Sequence, residues 1–348
     1  MDGSVLAAAV RPFRPGDERA WDAFVLGRAE ATFFHLSGWK RVIERAFGHQ
    51  THYLVCERAG VVTGVLPLTH VRSPLFGSSL VANAFAVEGG PVAADRESLC
   101  ALEAEAARLM DALQVPVLEL RGASPSRADW PSRSDLYTSF RKALDPSVEC
   151  NMKAVPRKQR AMIRKGIQNG LRSELDVDVD RLYRVYAESV RNLGTPVFGK
   201  SYFRILREEF GAASDIVTVT SGGQAVASVL NFYFRGEVLP YYGGGTAAAR
   251  DLAANDFLYW EVMRRACERG CDSFDFGRSK VGTGAYAFKR NWGFEPVPLT
   301  YQFRLAPGRA IPDLNPLNPK LRLFVAGWKR LPLPLARAFG PWIVKGIG

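Results

Sequence analysis

The stretch DIVTVTSGGQAVASVLNFYFRGEVLPYYGGG (215–245) contains three runs rich in β-branched and aromatic residues. Ser221-Gly222-Gly223 and Arg235-Gly236 separate these runs. Glycine-containing breaks between such runs are typical of tight turns that join antiparallel strands. We therefore predict a three-stranded meander at this point of the chain.

Amphipathic helices are predicted on both sides of the meander. Three precede it, at 156–170, 178–194 and 200–211, and one follows it at 255–270. A glycine closes each of these segments, as expected at a helix C-terminus. DSFDFG (272–277) then alternates apolar and polar residues like a half-buried strand, and 285–305 reads as a short helix running into a final strand. This order predicts an α/β domain around a mixed sheet.

The first 150 residues repeat the same order. A helix is predicted at 35–48, a hairpin around Arg58-Ala59-Gly60, a helix at 95–113 and a buried strand at 115–122. We therefore expect two similar domains, 1–150 and 151–308, and a separate tail, 309–348. With 348 residues, the chain has the usual length for two domains.

Composition narrows the class of protein. Apolar residues make up 47% and charged residues 23%, which is ordinary for a globular chain. No apolar run approaches the 18 to 20 residues, roughly, of a membrane span. The five cysteines are scattered, and the N-terminal residues lack the basic lead of a secretory signal. These features predict a reduced, cytoplasmic protein.

The net charge of +11 comes from two short segments. Residues 151–173 hold seven basic residues and 320–348 hold six, and neither segment contains an acid. Without these thirteen, 33 basic residues face 35 acidic ones. Such segments typically meet phosphates, nucleic acid or an acidic membrane, although a solvated helix face is the simpler alternative. On the helix at 156–170 we assign donor or phosphate binding to Arg157, Lys158 and Arg164, which with Lys165 fall within about 120° of the helix circumference.

The tail is predicted to be a basic amphipathic helix. Its apolar stripe consists of Leu321, Phe324, Val325, Trp328 and Leu331. A stripe of this kind, flanked by basic residues and centred on a tryptophan, suits the surface of an anionic membrane. The alternative is packing on the protein's own surface. Peripheral contact with the inner face of the membrane through 318–348 is therefore one expectation.

Several motifs together resemble the FemA/FemB/FemX family, which resembles GNAT acyltransferases doubled in tandem. They are NMKAVPRKQRAMIRKG (151–166), LGTPVFGKSYF (193–203), LPYYGGG (239–245), NDFLYWE (255–261) and DFGRSKVGTGAYAFKRNWGF (275–294), with FFHLSGWKRVI (33–43), VLPLTHV (65–71) and EGGP (88–91) in the first domain. Their joint order looks like the FemAB-related proteins of exosortase/PEP-CTERM and exopolysaccharide loci. The resemblance implies two tandem GNAT-like domains and an acyltransferase.

The resemblance also implies a catalytic site. In FemX-type enzymes a Phe-Lys pair takes part in aminoacyl transfer, and its equivalents here are Phe288 and Lys289. Lys289 would stabilise charge that develops near the ester; the alternative is that it is an ordinary surface lysine. Phe288 would be a platform for the substrate or a residue of the core. Asp275 would position the acceptor amine or act as base, and its alternative is a turn carboxylate.

Further substrate contacts are expected from five residues. Arg278 suits a diphosphate, and Tyr242 would line the groove beside glycines that let a substrate approach the backbone. Thr195 and Phe198 lie in a loop that relatives place near the acceptor, and Trp39 is either a substrate contact or a core anchor. The alternative is sheet packing for Tyr242, a helix-linking turn for the loop with Thr195 and Phe198, and core packing for Trp39.

The donor stays open between aminoacyl-tRNA and acyl-CoA. Acetyl-CoA-dependent relatives carry an R/Q-x-x-G-x-G/A loop that cradles the pyrophosphate, and GGGTAAARDLAANDF (243–257) lacks that spacing. No histidine or cysteine spacing predicts a metal site, and there is no G-x-S-x-G or P-loop motif.

We therefore expect an acyl or aminoacyl transferase that acts on an amine of a phosphorylated or lipid-linked cell-envelope, peptidoglycan-like or exopolysaccharide precursor. The alternatives are an acyl-CoA-dependent N-acyltransferase of a sugar or amino sugar, and a non-catalytic binding module at an exosortase or polysaccharide locus.

Overall fold

The computed structural model describes residues 7–122, 127–312 and 319–347, with the side chains of 319–322 left out. These residues form two compact units that are interleaved along the chain. Unit 1 takes the described parts of Met1–Asp135, Leu299–Pro312 and Lys345–Gly348, and unit 2 those of Leu136–Pro298 and Asp313–Val344. The predicted limits at 150 and 308 divide the chain differently, because Phe140 and Leu144 are buried in the core of unit 2.

Unit 1 consists of two antiparallel-rich sheets and the helices packed on them. The helices are α1 (Glu18–Leu26), α2 (Gly38–Phe47) and α3 (Arg96–Ala112). The strands are β1 (Ala9–Pro12), β2 (Gln50–Thr51), β3 (Leu54–Arg58), β4 (Val61–Leu66), β5 (Leu68–Ser73), β6 (Gly77–Ala82), β7 (Val92–Ala93) and β8 (Val117–Arg121). The predicted hairpin is confirmed: β3 and β4 are antiparallel, and Ala59 and Gly60 at its turn both have positive φ.

Unit 2 contains the predicted meander with helices before and after it. Its elements in chain order are β9 (Ser132–Ala143, in this unit from Leu136), α4 (Val148–Ala154), α5 (Arg157–Gln168), β10 (Arg172–Leu175), α6 (Asp180–Leu193), α7 (Lys200–Phe210), β11 (Ser214–Ser221), β12 (Gln224–Phe234), β13 (Glu237–Gly245), α8 (Ala254–Glu268), β14 (Ser273–Asp275), β15 (Ser279–Lys280) and α9 (Gly284–Asn291). The chain continues through β16 (Pro296–Leu305), which belongs to unit 1 from Leu299, to α10 (Pro319–Arg330) and α11 (Leu333–Val344) in unit 2.

The sheet of unit 2 opens between two of its strands. Its order is β10-β11-β12-β13-β14-β9, and only β13 and β14 are parallel neighbours. Their pairing is limited to Glu237 with Ser273 and Val238 with Phe274, whereas β13 stays paired with β12 as far as Gly245. The register of β12 and β13 shifts where Pro240 and Tyr242 face consecutive residues of β12. Proline has no N–H to donate to the neighbouring strand, so within a sheet it is tolerated in a bulge of this kind, which bends the strand.

The two C-terminal helices pack against α6, and this packing covers part of the apolar stripe predicted on α10. Trp328 is buried, and Val325 contacts Gly194 at the end of α6. Trp328 therefore serves packing, which is the alternative given for the stripe, whereas Phe324 of the same stripe is 42% exposed. The side chain of Leu321 and the whole of residues 313–318 lie outside the part of the chain that the structure describes. No helix in the described part of the chain is long and apolar enough to cross a membrane.

Candidate active site

Asp275 ends β14 and is buried beside the point where the strands part. Its Oδ1 accepts a hydrogen bond from the Gly277 amide at 2.6 Å. Its Oδ2 accepts one at 3.2 Å from Nη2 of Arg141, which lies opposite on β9. Gly277 has φ of +66°, a conformation that glycine adopts without steric cost. The carboxylate therefore holds a sharp turn at the strand end, as the alternative for Asp275 anticipated.

Lys289, on α9, folds back onto the same turn. Its Nζ donates to the carbonyl oxygens of Gly277 at 3.0 Å and Arg278 at 3.1 Å. Phe140 and Phe276 lie below the ammonium, with ring centroids at 5.5 and 5.9 Å. An ammonium has three N–H groups, and the third has no hydrogen-bond partner among the described residues.

The pKa of Lys289 is lowered to about 7. Burial of the ammonium is the main cause; the charge of Asp275 opposes the shift, and that of Arg278 adds to it. Charged and neutral forms are thus both populated near neutral pH, which suits a group that must respond to charge or protons during a reaction.

Phe288 is half-buried in an aromatic group next to this lysine. Its ring centroid lies 5.6 Å from that of Tyr259 and 6.2 Å from those of Phe276 and Trp292. The indole of Trp292 donates to Oδ1 of Asp256 at 3.0 Å. Burial raises the pKa of the Asp256 carboxyl and raises that of Tyr259 to about 12. Phe288 can therefore serve as packing for α9 as well as a wall beside Lys289.

The sequence did not single out three of the residues that build this region. Arg141 was missed because the sequence did not predict β9, whose polar residues interrupt the alternation of apolar and polar positions expected of a strand. Asp256 lies in the first turn of α8, where a carboxylate is expected at any helix start, yet it accepts a hydrogen bond from Trp292. Tyr259 lies within NDFLYWE, one of the motifs that carry the family resemblance, but no residue spacing in the sequence indicated which side chains it would contact.

Tyr242 and Phe198 meet in a second cluster, on β13 and the loop after α6. Their ring centroids are 5.6 Å apart, and the hydroxyl of Tyr242 shares a 2.8 Å hydrogen bond with that of Tyr202. Burial raises the pKa of Tyr242 well above its ordinary value. Thr195 is exposed, and its amide donates to Val190 at the end of α6.

The three glycines that follow Tyr242 do not leave room for a substrate on the side where a Cβ would point. A Cβ on Gly244 would lie 2.4 Å from Cβ of Ser189, and one on Gly245 would lie 2.5 Å from Cβ of Ala249. Their small size is therefore required by neighbouring protein atoms. This corrects the expectation that the glycines admit a substrate to the backbone at these positions.

The other predicted residues lie apart from one another. Arg278 places its guanidinium 4.7 Å from the ring centroid of Tyr137. Arg157, Lys158, Arg164 and Lys165 are all exposed on α5 and form what we call the α5 basic face. Trp39 is completely buried in unit 1, and its indole donates to the carbonyl of Phe33 at 3.2 Å. This burial contradicts a substrate contact and supports the core role.

Unit 1 holds a cavity of about 450 Å³. Residues of its lining include His35, Glu88, Gly90 and Arg121. None of the predicted site residues lines it. In the described part of the chain no group of His, Cys, Asp or Glu side chains is arranged to hold a metal ion.

The α/β sheet with parting parallel strands defines the GNAT acyltransferase fold. Residues 157–290 match the family model described as an acetyltransferase (GNAT) domain. The solved structure of FemX aligns with a TM-score of 0.62 and 14% identity, covering 84% of this chain and 96% of that one. By this domain the protein is an acyltransferase.

Two further solved structures share the fold. A tandem GNAT protein from the clavulanic acid biosynthesis pathway gives a TM-score of 0.53 at 15% identity, covering 87% of this chain and all of that one. L-PGS from Bacillus licheniformis gives 0.53 at 14% identity, covering 92% and 99%. No curated protein matches the sequence significantly. The predicted α/β fold of GNAT type is confirmed.

Proposed function

We propose that the protein transfers an acyl or aminoacyl group to an amine of a cell-envelope precursor, with Lys289 as the catalytic cation. The observation that carries this proposal is the lysine held at the opening of the sheet by two carbonyl oxygens. Its pKa of about 7 and its free N–H suit a group that meets developing negative charge.

The chemistry requires one bond to form and one to break. The amine nitrogen attacks the carbonyl carbon of the donor, and negative charge develops on the carbonyl oxygen. The bond from the carbonyl carbon to the leaving oxygen or sulfur then breaks, and one proton passes from the amine to the leaving group. The ammonium of Lys289 would stabilise the oxyanion or the leaving oxygen, and Asp275 would hold the turn that positions it.

Aminoacyl-tRNA is the donor that we favour over acyl-CoA. A pyrophosphate cradle needs free backbone amides in the loop after β13. Here the amide of Ala247 donates to the Glu188 carboxylate at 2.9 Å, and the amides of Thr246 and Ala249 donate to backbone carbonyls. The carboxylate would also repel a pyrophosphate. GNAT domains typically use acyl-CoA, so transfer from acyl-CoA to an amino sugar is the second candidate.

The acceptor and setting are proposed from the resemblance stated above. A phosphorylated or lipid-linked peptidoglycan-like or exopolysaccharide precursor fits the FemX-like fold, and Arg278 and the α5 basic face would bind its phosphates or the tRNA. The FemAB-related proteins of PEP-CTERM loci suggest a cytoplasmic site of action at the inner face of the membrane.

Binding and transfer measurements test the donor. Calorimetry should show that the full-length protein binds aminoacylated tRNA, with acetyl-CoA bound more weakly. If acetyl-CoA binds tightly and wild-type protein acetylates glucosamine, the second candidate is correct. Glu188→Gln should raise acetyl-CoA affinity if its charge blocks the loop. Lys289→Met should lower the rate of transfer by about 10² to 10³, whereas the matched change Lys153→Met, at an exposed lysine paired with Glu149, should leave the rate unchanged.

A further inference from the structure

An exposed apolar stripe runs along α11. It consists of Leu335, Phe339 and Trp342, which are 43%, 55% and 61% exposed. At 100° per residue these three side chains fall within about 60° of the helix circumference. Exposed large apolar side chains grouped in this way mark interaction surfaces more often than singly scattered ones do.

The opposite side of α11 is already occupied. Ala336, Gly340 and Val344 are buried, and a Cβ on Gly340 would lie 2.6 Å from the carbonyl oxygen of Val197. The guanidinium of Arg337 lies 5.4 Å from the ring centroid of Tyr183 on α6. The helix is therefore seated on unit 2 by small residues, and the stripe points away from this packing.

The charged residues on α11 and next to it in the sequence have one sign. Residues 320–348 contain six basic residues and no acid. Lys329 and Arg330 are exposed at the end of α10, directly before α11. An apolar helix face with tryptophan and phenylalanine, bordered by cations, is complementary to the interface of an anionic bilayer.

We propose that α11 docks the protein on an anionic phospholipid surface, with Leu335, Phe339 and Trp342 inserted among the lipids and the neighbouring cations on the headgroups. This face differs from the α10 stripe expected from the sequence, whose Trp328 is buried. The inference does not depend on the proposed acyl transfer. A second copy of the chain is a less suitable occupant, because the cations that border the two stripes would repel each other.

Vesicle flotation with the full-length protein tests the proposal. Wild-type protein should float with vesicles of phosphatidylglycerol and phosphatidylcholine and much less with phosphatidylcholine alone, and salt should weaken binding. The double variant Phe339→Ser/Trp342→Ser should bind at least about tenfold more weakly. Val177→Ser, at a 96% exposed apolar residue elsewhere in unit 2, should bind like wild type.

Intrinsic fluorescence gives a readout that needs no destabilising variant. Of the seven tryptophans, all of which lie in the described residues, Trp342 is the one that is exposed; the other six are at most 8% exposed. Anionic vesicles should therefore shift the emission to the blue, and brominated lipids should quench it. Trp342→Phe should remove both effects while retaining flotation.

Three results would overturn the proposal. The first is wild-type protein that stays unbound to anionic vesicles, and the second is a double variant that floats like wild type. The third is a wild-type dimer in light scattering that the double variant dissociates, with no vesicle binding, since this would assign the stripe to a second copy.

Discussion

Replacement of Lys289 should separate its charge from its size. Lys289→Met keeps a long, unbranched side chain but removes the ammonium that contacts Gly277 and Arg278. Loss of one group that stabilises charge in a transition state typically lowers kcat by about 10² to 10³, or roughly 3 to 4 kcal/mol. We expect a loss of this size, with the Km for the donor changed far less.

The pH profile tests the state of the lysine. If the ammonium is required, kcat/KM of the wild type should fall tenfold per pH unit above about 7, the pKa of Lys289. Lys289→Arg carries a permanent charge, so its residual activity should lose this dependence. A ratio of wild-type to Lys289→Arg activity that stays constant through pH 7 would refute the role of cation, because this ratio cancels the titration of the acceptor amine, and a fully active Lys289→Met would refute any catalytic role.

Lys289→Met should also change the stability of the folded protein, independently of its effect on catalysis. Below pH 7 the lysine is charged in both folded and unfolded chains, so the folded state bears the full penalty of its burial. Between about 7 and the ordinary value of 10.5 the folded chain binds fewer protons, so the contribution of Lys289 to stability increases with pH. The melting temperature of Lys289→Met relative to wild type should therefore decline from pH 6 to 9. A constant difference would mean that the ammonium is not buried as described.

Three further predictions follow from particular contacts. Asp275→Asn should move the fall in kcat/KM to lower pH, because the charge of Asp275 raises the pKa of Lys289; an unchanged midpoint would contradict this. Gly244→Ala should lower the free energy of unfolding in urea by about 1 to 3 kcal/mol through overpacking, and the same change should cost less in a Ser189→Gly background, whereas an equal cost in both backgrounds would exclude this contact as the cause. Neutralising Arg157, Lys158 and Arg164 together should reduce the salt slope of tRNA binding by roughly 0.7 to 0.9 per lost phosphate contact, and an equal slope in filter binding would exclude the α5 basic face.

Much of unit 2 was predictable because its signals are local. The helix at 156–170 ends where Gly170 takes a positive φ, and the meander appears as β11, β12 and β13. β9 was not predictable in the same way, because its sequence SRSDLYTSFRKA (132–143) has no clear alternation and nine of its twelve residues are exposed or half-buried. Its identity as a strand depends on β14, more than a hundred residues later in the chain.

The candidate site was predicted in part. Phe288, Lys289, Asp275 and Arg278 lie close together, as their shared motif suggested, whereas Tyr242 and Phe198 form a separate cluster. The sequence pointed to Lys289 by resemblance alone. It contained no indication that the ammonium would bind two carbonyl oxygens or that burial would lower its pKa.

The amino-acid sequence by itself determined the order of helices and strands, the glycine turns and the two acid-free basic segments, since each depends on neighbours within a few residues. Tertiary structure decided which surfaces those elements cover. Both C-terminal helices carry apolar stripes, yet Trp328 on α10 is buried and Trp342 on α11 is exposed. The spacing of apolar residues shows that a helix has an apolar face. Only the tertiary structure determines whether another part of the protein packs on that face and shields it from water.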